Sequence, residues 1–247
     1  MIDVEDLVGE RLMIGLPGPT LGDDDVALFR DTRAAGLILY RRNFESPTQL
    51  VTLLARLEEA LGRRLLVATD HEGGRIVMLG RGVTIFPDNL AVGTAGEEAF
   101  AARSYGKDPH LVARYGVARI KGAMRGGLSA CPKHFPGKGH SPLDAHLRLP
   151  TIESTWDEMH AVHLVPFLEA IAAGVECVMT SHPVYPNLDP SGVPATFSRL
   201  IVEEYLRGQI GFRGVIVSDD LEMGAVSEAC PIGEAAVRAA AAGHDLL

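Results

Sequence analysis

The stretch Gly214-Val215-Ile216-Val217-Ser218-Asp219-Asp220 is a short apolar run that ends directly in two aspartates. A run this short, rich in Val and Ile and apolar on both faces, is typical of a strand buried in a parallel sheet. Its two carboxylates follow the carboxyl end of the predicted strand, where parallel α/β folds gather their binding and catalytic groups. The same pattern recurs along the chain, and it decides which fold we expect.

Five other apolar runs predict strands in the same way. They are residues 11–16, 36–40, 64–69, 128–131 and 175–180. Between these runs, amphipathic helices are predicted to begin after the capping residues Ser46, Asp108, Thr155 and Ser198. The first has leucines spaced to lie on one helical face, at residues 50, 53, 54, 57 and 61, and the third extends over residues 155–173. Alternating strands and helices of this kind form either a closed (β/α)8 barrel or an open doubly wound sheet.

The position of the polar residues favours the barrel. Charged or polar groups follow four predicted strands, as Asp70-His71-Glu72, Lys133-His134, Ser181-His182 and Asp219-Asp220. A barrel brings all strand ends to one mouth, whereas an open sheet concentrates its ligand groups at one switch point, usually beside a glycine-rich loop. The first βα loop, residues 17–22, has no such glycine pattern. We therefore expect a (β/α)8 barrel of the α/β class, forming a single domain over residues 1–247.

Composition limits the partners and the compartment. The chain has 247 residues, of which 47% are hydrophobic, and its formal net charge is −9. Nucleic acid or an anionic membrane would repel this charge, so a small polar ligand is the better expectation. Three widely spaced cysteines predict neither a disulfide framework nor a zinc site. The acidic amino terminus is unlike a signal peptide, so a cytoplasmic protein is expected. The oligomeric state is left open.

A histidine-rich loop follows the fourth predicted strand. Residues 133–146 contain His134, His140 and His146 together with Asp144 and two lysines. The pair Asp144 and His146 can share a hydrogen bond that tunes the imidazole for proton transfer in both directions. The same histidines and Asp144 could instead chelate zinc, although the two lysines and the lack of a helical ligand frame weaken that interpretation. A solvated loop is the third alternative.

Two aspartates at strand ends are further candidates. Asp219 is suited to be a carboxylate nucleophile or charge stabiliser, but one residue of its pair could equally cap the next helix. Asp70 could accept hydrogen bonds from vicinal hydroxyls, with Gly73-Gly74 permitting close approach of a ligand. The charges of this stretch could instead be structural, with Arg75 forming an ion pair with Glu72.

Five motifs together resemble glycoside hydrolase family 3, especially its bacterial β-N-acetylglucosaminidases. They occur in the family's order across nearly the whole chain, as Thr69-Asp70-His71-Glu72-Gly73-Gly74-Arg75, Arg103-Ser104-Tyr105-Gly106, Lys133-His134-Phe135-Pro136-Gly137, Asp144-Ala145-His146 and Ser218-Asp219-Asp220-Leu221-Glu222-Met223. The resemblance implies that Asp219 is the nucleophile and that His146 is the acid/base, held by Asp144. It implies that the sugar hydroxyls are bound by Asp70, Arg103, Lys133 and His134.

The activity implied by this resemblance is a retaining exo-β-N-acetylhexosaminidase acting on peptidoglycan fragments, with no metal or organic cofactor. Four alternatives stay open at this point. They are a β-glucosidase-like member, a phosphorylase, a non-catalytic sugar-binding barrel and a metal-dependent barrel hydrolase.

The chain also departs from the family pattern. Lys138 and His140 replace the more familiar residues in the middle of the histidine loop, and Met78 stands where many members have an arginine. A helix and a strand that normally precede the Arg103 motif are missing, which predicts an omitted segment near residues 102 and 103. Residues 245–247 look like the first residues of one more strand.

Overall fold

The computed structural model describes residues 3–93, 104–138 and 149–247. Contacts within the chain divide it into two units, Met1–Tyr105 and Gly106–Leu247. Both units belong to the α/β class, and each is described separately below. Three of the predicted site residues, Arg103, Asp144 and His146, lie outside the described residues, as does His140.

The first unit contains a sheet of three parallel strands. In sheet order these are β1 (Met13–Gly15), β2 (Gly36–Leu39) and β3 (Leu66–Thr69). Gly36 pairs with Met13 on one side and with Leu66 on the other. A first helix, α1 (Val4–Gly9), precedes β1, and the crossovers between strands are α2 (Asp23–Thr32) and α3 (Pro47–Leu61). Each strand lies inside a predicted apolar run, so these three strand predictions are confirmed.

Helix α3 shows why the leucine spacing predicted it. Leu53 and Leu57 are buried on one face of the helix, since positions four apart lie on the same side. The hydroxyl of Ser46 accepts a hydrogen bond from the Gln49 N–H at 3.1 Å and caps the first turn. Gly62 ends the helix in the left-handed conformation, with φ of 68°.

A short hairpin follows β3 directly. It pairs β4 (His71–Gly73) with β5 (Ile76–Val77), so Asp70 lies between β3 and the hairpin. Gly73 and Gly74 both have positive φ, and a Cβ on Gly73 would lie 2.4 Å from the main-chain oxygen of Pro87. These glycines therefore permit the close approach of the chain's own residues, whereas the sequence predicted the close approach of a ligand. Met78 follows β5, and α4 (Asn89–Gly93) is the last helix described in this unit.

The second unit has its own parallel pairing. Strand β6 (Cys177–Met179) pairs with β7 (Val215–Val217) in parallel. Phe135 forms a parallel bridge to Thr180, and Leu246 forms one to Val217. Four segments therefore lie side by side, and the bridge at Leu246 confirms the predicted start of a strand near residues 245–247.

The prediction of a strand at residues 128–131 is wrong, because the segment that pairs with β6 is residues 132–135. The Met179 N–H donates to the carbonyl of Pro132 at 3.1 Å, and the Phe135 N–H donates to the carbonyl of Met179 at 2.8 Å. Leu128 is exposed. The paired segment contains the polar residues Lys133 and His134, so a search for continuous apolar runs passes over it.

Helices cover the second unit, but one predicted helix is interrupted. The first, α5 (Pro109–Arg125), is capped by Asp108 as predicted. The predicted helix over residues 155–173 consists of α6 (Trp156–Glu158), a π-helical segment (Met159–His163) and α7 (Val165–Ala172). Pro166 has no N–H with which to continue an α-helical ladder. Two residues earlier, the Leu164 N–H bonds the carbonyl of Met159, five positions back along the chain, which is the π-helical pattern.

The remaining helical elements follow β6 and β7. They are a 3₁₀ turn (Ala195–Phe197), a second π-helix (Leu200–Gln209), α8 (Gly224–Ser227) and α9 (Ile232–Ala242). No helix within the described ranges is long and apolar enough to cross a membrane.

The core of the second unit fixes the strand ends in place. Phe135, Val178 and Ile216 are fully buried in one apolar cluster. The Phe135 ring meets the edge of the Phe167 ring with centroids 5.4 Å apart. Because Phe135 is anchored in this way, the backbone on either side of it is held at the carboxyl ends of β6 and β7.

Candidate active site

Asp219 lies beside a lysine and a histidine from the segment around Phe135. Its Oδ2 atom lies 3.4 Å from Nζ of Lys138 and 3.6 Å from Nε2 of His134. The side chains of Asp219 and His134 are 13% and 14% exposed. A carboxylate this sheltered from water needs opposite charge nearby to remain ionised, and the loop after the bridge at Phe135 supplies it.

The protonation equilibrium of Asp219 follows from this arrangement. Burial alone raises the pKa of the carboxyl, but the charges of His134, Lys138 and His182 outweigh burial and hold the pKa below its ordinary value. The N–H of Asp220 acts in the same direction, since it donates to Asp219 Oδ1 at 3.0 Å. Asp219 is therefore ionised at neutral pH, as a nucleophilic carboxylate must be.

The two adjacent aspartates have different tasks. The Oδ1 atom of Asp220 accepts a hydrogen bond from the Glu222 N–H at 2.8 Å, which closes a local turn after β7. The carboxylate of Asp219 faces Lys138 and His134 instead. The sequence left open whether one residue of the pair is structural while the other reacts, and the geometry assigns the structural part to Asp220.

The backbone that carries Lys138 is fixed by buried hydroxyl groups. The Ser181 hydroxyl donates to the carbonyl of Phe135 at 2.9 Å, and the Tyr185 hydroxyl donates to the carbonyl of Gly137 at 3.0 Å. Gly137 has φ of 126°, and a Cβ on it would lie 2.9 Å from Cβ of His163. Only glycine fits this combination of conformation and space without strain.

A second histidine lies behind the Asp219 loop. His182 follows β6 by three residues and is 0% exposed. Its Nε2 lies 2.9 Å from the main-chain oxygen of Asp220, and its Nδ1 lies 2.7 Å from the hydroxyl of Thr196. Burial lowers the pKa of His182, although the charge of Asp219 opposes that shift.

The predicted site residues are thus only partly brought together by the described structure. Asp219 and His134 are adjacent, and Lys133 precedes His134 at the same strand end. Asp70 lies at the end of β3, in the first unit. Among the residues that the structure describes, no group of three or more His, Cys, Asp or Glu side chains is placed to hold a metal ion.

Sequence reasoning missed two members of this site. It noted Lys138 as a positive charge in the histidine loop and as a departure from a family pattern, and it noted His182 only as a polar residue after a strand. The signal for both was a polar residue close behind a buried parallel strand. Nothing in the spacing of residues 138, 182 and 219 shows that they meet in the fold.

Comparison with known proteins identifies relatives of the chain. Residues 90–247 match the glycosyl hydrolase family 3 N terminal domain. The chain is 35% identical over 255 residues to the beta-hexosaminidase of Xylella fastidiosa strain M23, which covers 87% of this chain and 76% of that protein.

Solved structures agree with this match. A family 3 beta-N-acetylglucosaminidase from Paenibacillus sp. is 35% identical with a TM-score of 0.95, and it covers 100% of this chain and 54% of that one. The chain thus spans about half the length of that protein. The NagZ protein of Neisseria gonorrhoeae, solved with N-trifluoroacetyl-D-glucosamine, is 32% identical with a TM-score of 0.85 and covers 96% and 80% of the two chains.

Proposed function

The chain belongs to glycosyl hydrolase family 3, and we propose that it is a retaining exo-β-N-acetylhexosaminidase that removes terminal β-linked N-acetylglucosamine. Relatives named beta-hexosaminidase support the activity, and a relative solved with an N-acylated glucosamine supports the sugar. The observation that carries the proposal is the ionised, sheltered carboxylate of Asp219 at the end of β7, with Lys138 and His134 beside one oxygen.

The proposed reaction has two steps. Asp219 attacks the anomeric carbon and forms a glycosyl ester, while the bond to the leaving oxygen breaks and that oxygen takes a proton from His146. In the second step His146 removes a proton from water, the water oxygen attacks the anomeric carbon, and the ester bond to Asp219 breaks. The two inversions restore the β configuration. The assignment of His146 and its partner Asp144 rests on the family motif.

Substrate binding is part of the same proposal. Asp70, Arg103, Lys133 and His134 would hold the sugar hydroxyls, since charged donors and carboxylates at strand ends suit vicinal hydroxyl groups. The parallel pairings in both units are of the kind that build a (β/α)8 barrel, which we propose as a single catalytic domain over residues 1–247. A cytoplasmic role on peptidoglycan fragments is proposed on the family resemblance.

Trapping the covalent ester tests the mechanism and the nucleophile together. The protein is incubated with 5-fluoro-N-acetyl-β-glucosaminyl fluoride, whose ester with the enzyme turns over slowly, and is then digested for mass spectrometry. We expect the added sugar mass on the peptide that contains Asp219. The Asp219→Asn variant should show no adduct, whereas Asp220→Asn should retain it. An adduct on another peptide, or an α-configured first product of hydrolysis, would contradict the proposal.

Aryl glycosides test the sugar and the acceptor. We expect turnover of aryl N-acetyl-β-glucosaminide to exceed that of aryl β-glucoside by at least roughly a hundredfold, with free sugar as the product in phosphate buffer. A sugar 1-phosphate product would identify a phosphorylase instead. Binding of N-acetylglucosamine without any turnover would identify a sugar-binding protein.

A further inference from the structure

His182 is clamped at both ring nitrogens inside the second unit. Because a carbonyl oxygen can only accept, the 2.9 Å contact with Asp220 requires a proton on Nε2 of His182. The hydroxyl of Thr196 lies 2.7 Å from Nδ1, and because a neutral ring with its proton on Nε2 has only a lone pair on Nδ1, this hydroxyl donates its hydrogen to the ring. The imidazole is thus a rigid donor aimed at the backbone just after Asp219.

A continuous set of contacts runs from this ring to the carboxylate. His182 fixes the carbonyl of Asp220, and the N–H of the same residue donates to Oδ1 of Asp219 at 3.0 Å. The other oxygen, Oδ2, faces Lys138 and His134. The direction of the carboxylate is therefore set from both oxygens, and His182 secures the backbone on one side.

We propose that His182 is a positioning residue for Asp219, which holds the nucleophilic carboxylate in its reactive direction through the backbone of Asp220. The proposal rests on the function proposed above, because it assigns Asp219 to the reaction. His182 need not touch the sugar. Its contribution is preorganisation, which lowers the activation barrier by removing freedom from the reacting group.

The chain supplies a matched control in His244. This ring is also 0% exposed, with Nδ1 at 2.9 Å from the carbonyl of Ala239 and Nε2 at 2.8 Å from the hydroxyl of Thr180. Both histidines thus bond one carbonyl and one threonine hydroxyl in the same unit. The carbonyl partner of His244 belongs to α9, whereas that of His182 belongs to the loop that carries Asp219.

The variants separate positioning from stability. In His182→Asn the shorter amide can reach Thr196 but not Asp220, whereas His182→Gln can place an N–H near the former Nε2 atom. We expect His182→Asn to lower kcat on an aryl N-acetyl-β-glucosaminide about tenfold or more, with KM within about twofold, and His182→Gln to recover most of the loss. His244→Asn should lower stability without that change in kcat. Equal effects of His182→Asn and His244→Asn on kcat would overturn the proposal.

A measurement without turnover keeps the inference separate from the proposed function. The carboxyl ¹³C signal of Asp219 is titrated in selectively labelled protein and assigned with Asp219→Asn. In His182→Asn the carboxylate should be held less firmly beside Lys138 and His134, so its pKa should rise by about half a unit. In His244→Asn it should not move. If the wild-type protein hydrolyses no N-acetylglucosaminide, the proposed function fails, and this titration alone decides the inference, with an unchanged pKa overturning it.

A variant that fails to fold does not remove the test. The ¹⁵N signals of the His182 ring in the wild-type protein should show a proton on Nε2, protected from exchange by its bond to Asp220. A ring without a proton on Nε2 would overturn the proposal.

Discussion

The Nζ atom of Lys138 lies 3.4 Å from Oδ2 of Asp219, although 81 residues separate the two in sequence. The contact exists because the segment around Phe135 pairs beside β6, which in turn pairs with β7. Parallel pairing brings the carboxyl ends of all these segments to the same edge. A lysine from one loop thereby keeps a buried carboxylate on another loop ionised.

Removing this lysine should move the acidic limb of the pH profile. In Lys138→Met, burial still favours the neutral form of Asp219, while one of the cations that oppose burial is gone. The pKa of Asp219 should therefore rise, and the acidic limb of kcat/KM should shift to higher pH by roughly half to one unit. Because the pKa of Asp219 lies below its ordinary value of 3.8, initial rates on an aryl N-acetyl-β-glucosaminide from about pH 3 to pH 7 measure the shift.

Two controls belong to this experiment. Lys138→Arg keeps the positive charge and should leave the limb close to that of the wild type. Lys121→Met removes an exposed lysine from α5 and should leave it unchanged. If all three variants share the wild-type limb, Lys138 does not govern the ionisation of Asp219.

The two aspartates after β7 should respond very differently to substitution. Asp219→Ala removes the proposed nucleophile, and kcat should fall by about a thousandfold or more. Asp220→Ala removes the turn bond to the Glu222 N–H, which should cost about 1 kcal/mol of unfolding free energy and little activity by comparison. Rates and urea unfolding of both variants provide the measurement.

Azide sharpens the test of Asp219. In Asp219→Ala the small anion can enter from the face that the carboxylate occupied and displace an activated aryl leaving group. We expect azide to restore turnover and to yield the α-glycosyl azide. A β-glycosyl azide would place the nucleophile on the wrong face of the sugar.

The parts of the fold that depend on local chemistry could be read from sequence. Helix α3 followed from the cap at Ser46 and the leucine spacing, and β2 from its apolar run. The segment at residues 132–135 was missed because it pairs through its backbone while carrying polar side chains. A pattern of apolar residues has no means of reporting backbone pairing of that kind.

The candidate site divides along the same line. Asp219 could be proposed as a candidate from its place after an apolar run, and the family resemblance implied its role. The contacts of Lys138 and His182 could not, because each depends on which strands are neighbours. The interruption of the helix at residues 159–163 could be predicted only in part from the sequence. Pro166 indicates that the helix breaks, but it does not indicate that the break takes a π-helical form.

Tyr185 should matter for both stability and turnover. Its hydroxyl donates to the carbonyl of Gly137 at 3.0 Å, next to Lys138, and burial raises the pKa of the phenol so that it stays a neutral donor. Tyr185→Phe should cost about 1 kcal/mol of unfolding free energy. It should also lower kcat several-fold, since the backbone that presents Lys138 is less fixed.

Tyr205→Phe is the matched control for that variant. Tyr205 lies within the second π-helix and is also buried, and its hydroxyl bonds Nε2 of His160 at 2.9 Å. We expect a similar loss of stability with kcat unchanged. Were the two phenylalanine variants to lower kcat equally at a temperature where both are folded, the effect of Tyr185 would be general destabilisation and not presentation of Lys138.

His244 should make the stability of the second unit depend on pH. Burial lowers its pKa from 6.5 to about 4, even though the carbonyl of Ala239 acts in the opposite direction. Between these two values the unfolded chain binds a proton that the folded state excludes, so stability is greatest above pH 6.5 and falls as the pH drops toward 4. The loss attributable to this one ring should approach roughly 3 kcal/mol at the acidic end.

Urea unfolding at several pH values across this window tests the contribution of His244. The His244→Gln variant should be less stable than the wild type at pH 7, because a packed and hydrogen-bonded ring has been replaced. Its unfolding free energy should nevertheless decline less steeply on acidification, since the group that resists protonation is gone. The burial of His182 lowers its pKa in the same direction, so a part of the slope should persist in the variant. Parallel slopes for the two proteins would show that His244 accepts its proton without unfolding and that its burial is less complete than the structure indicates.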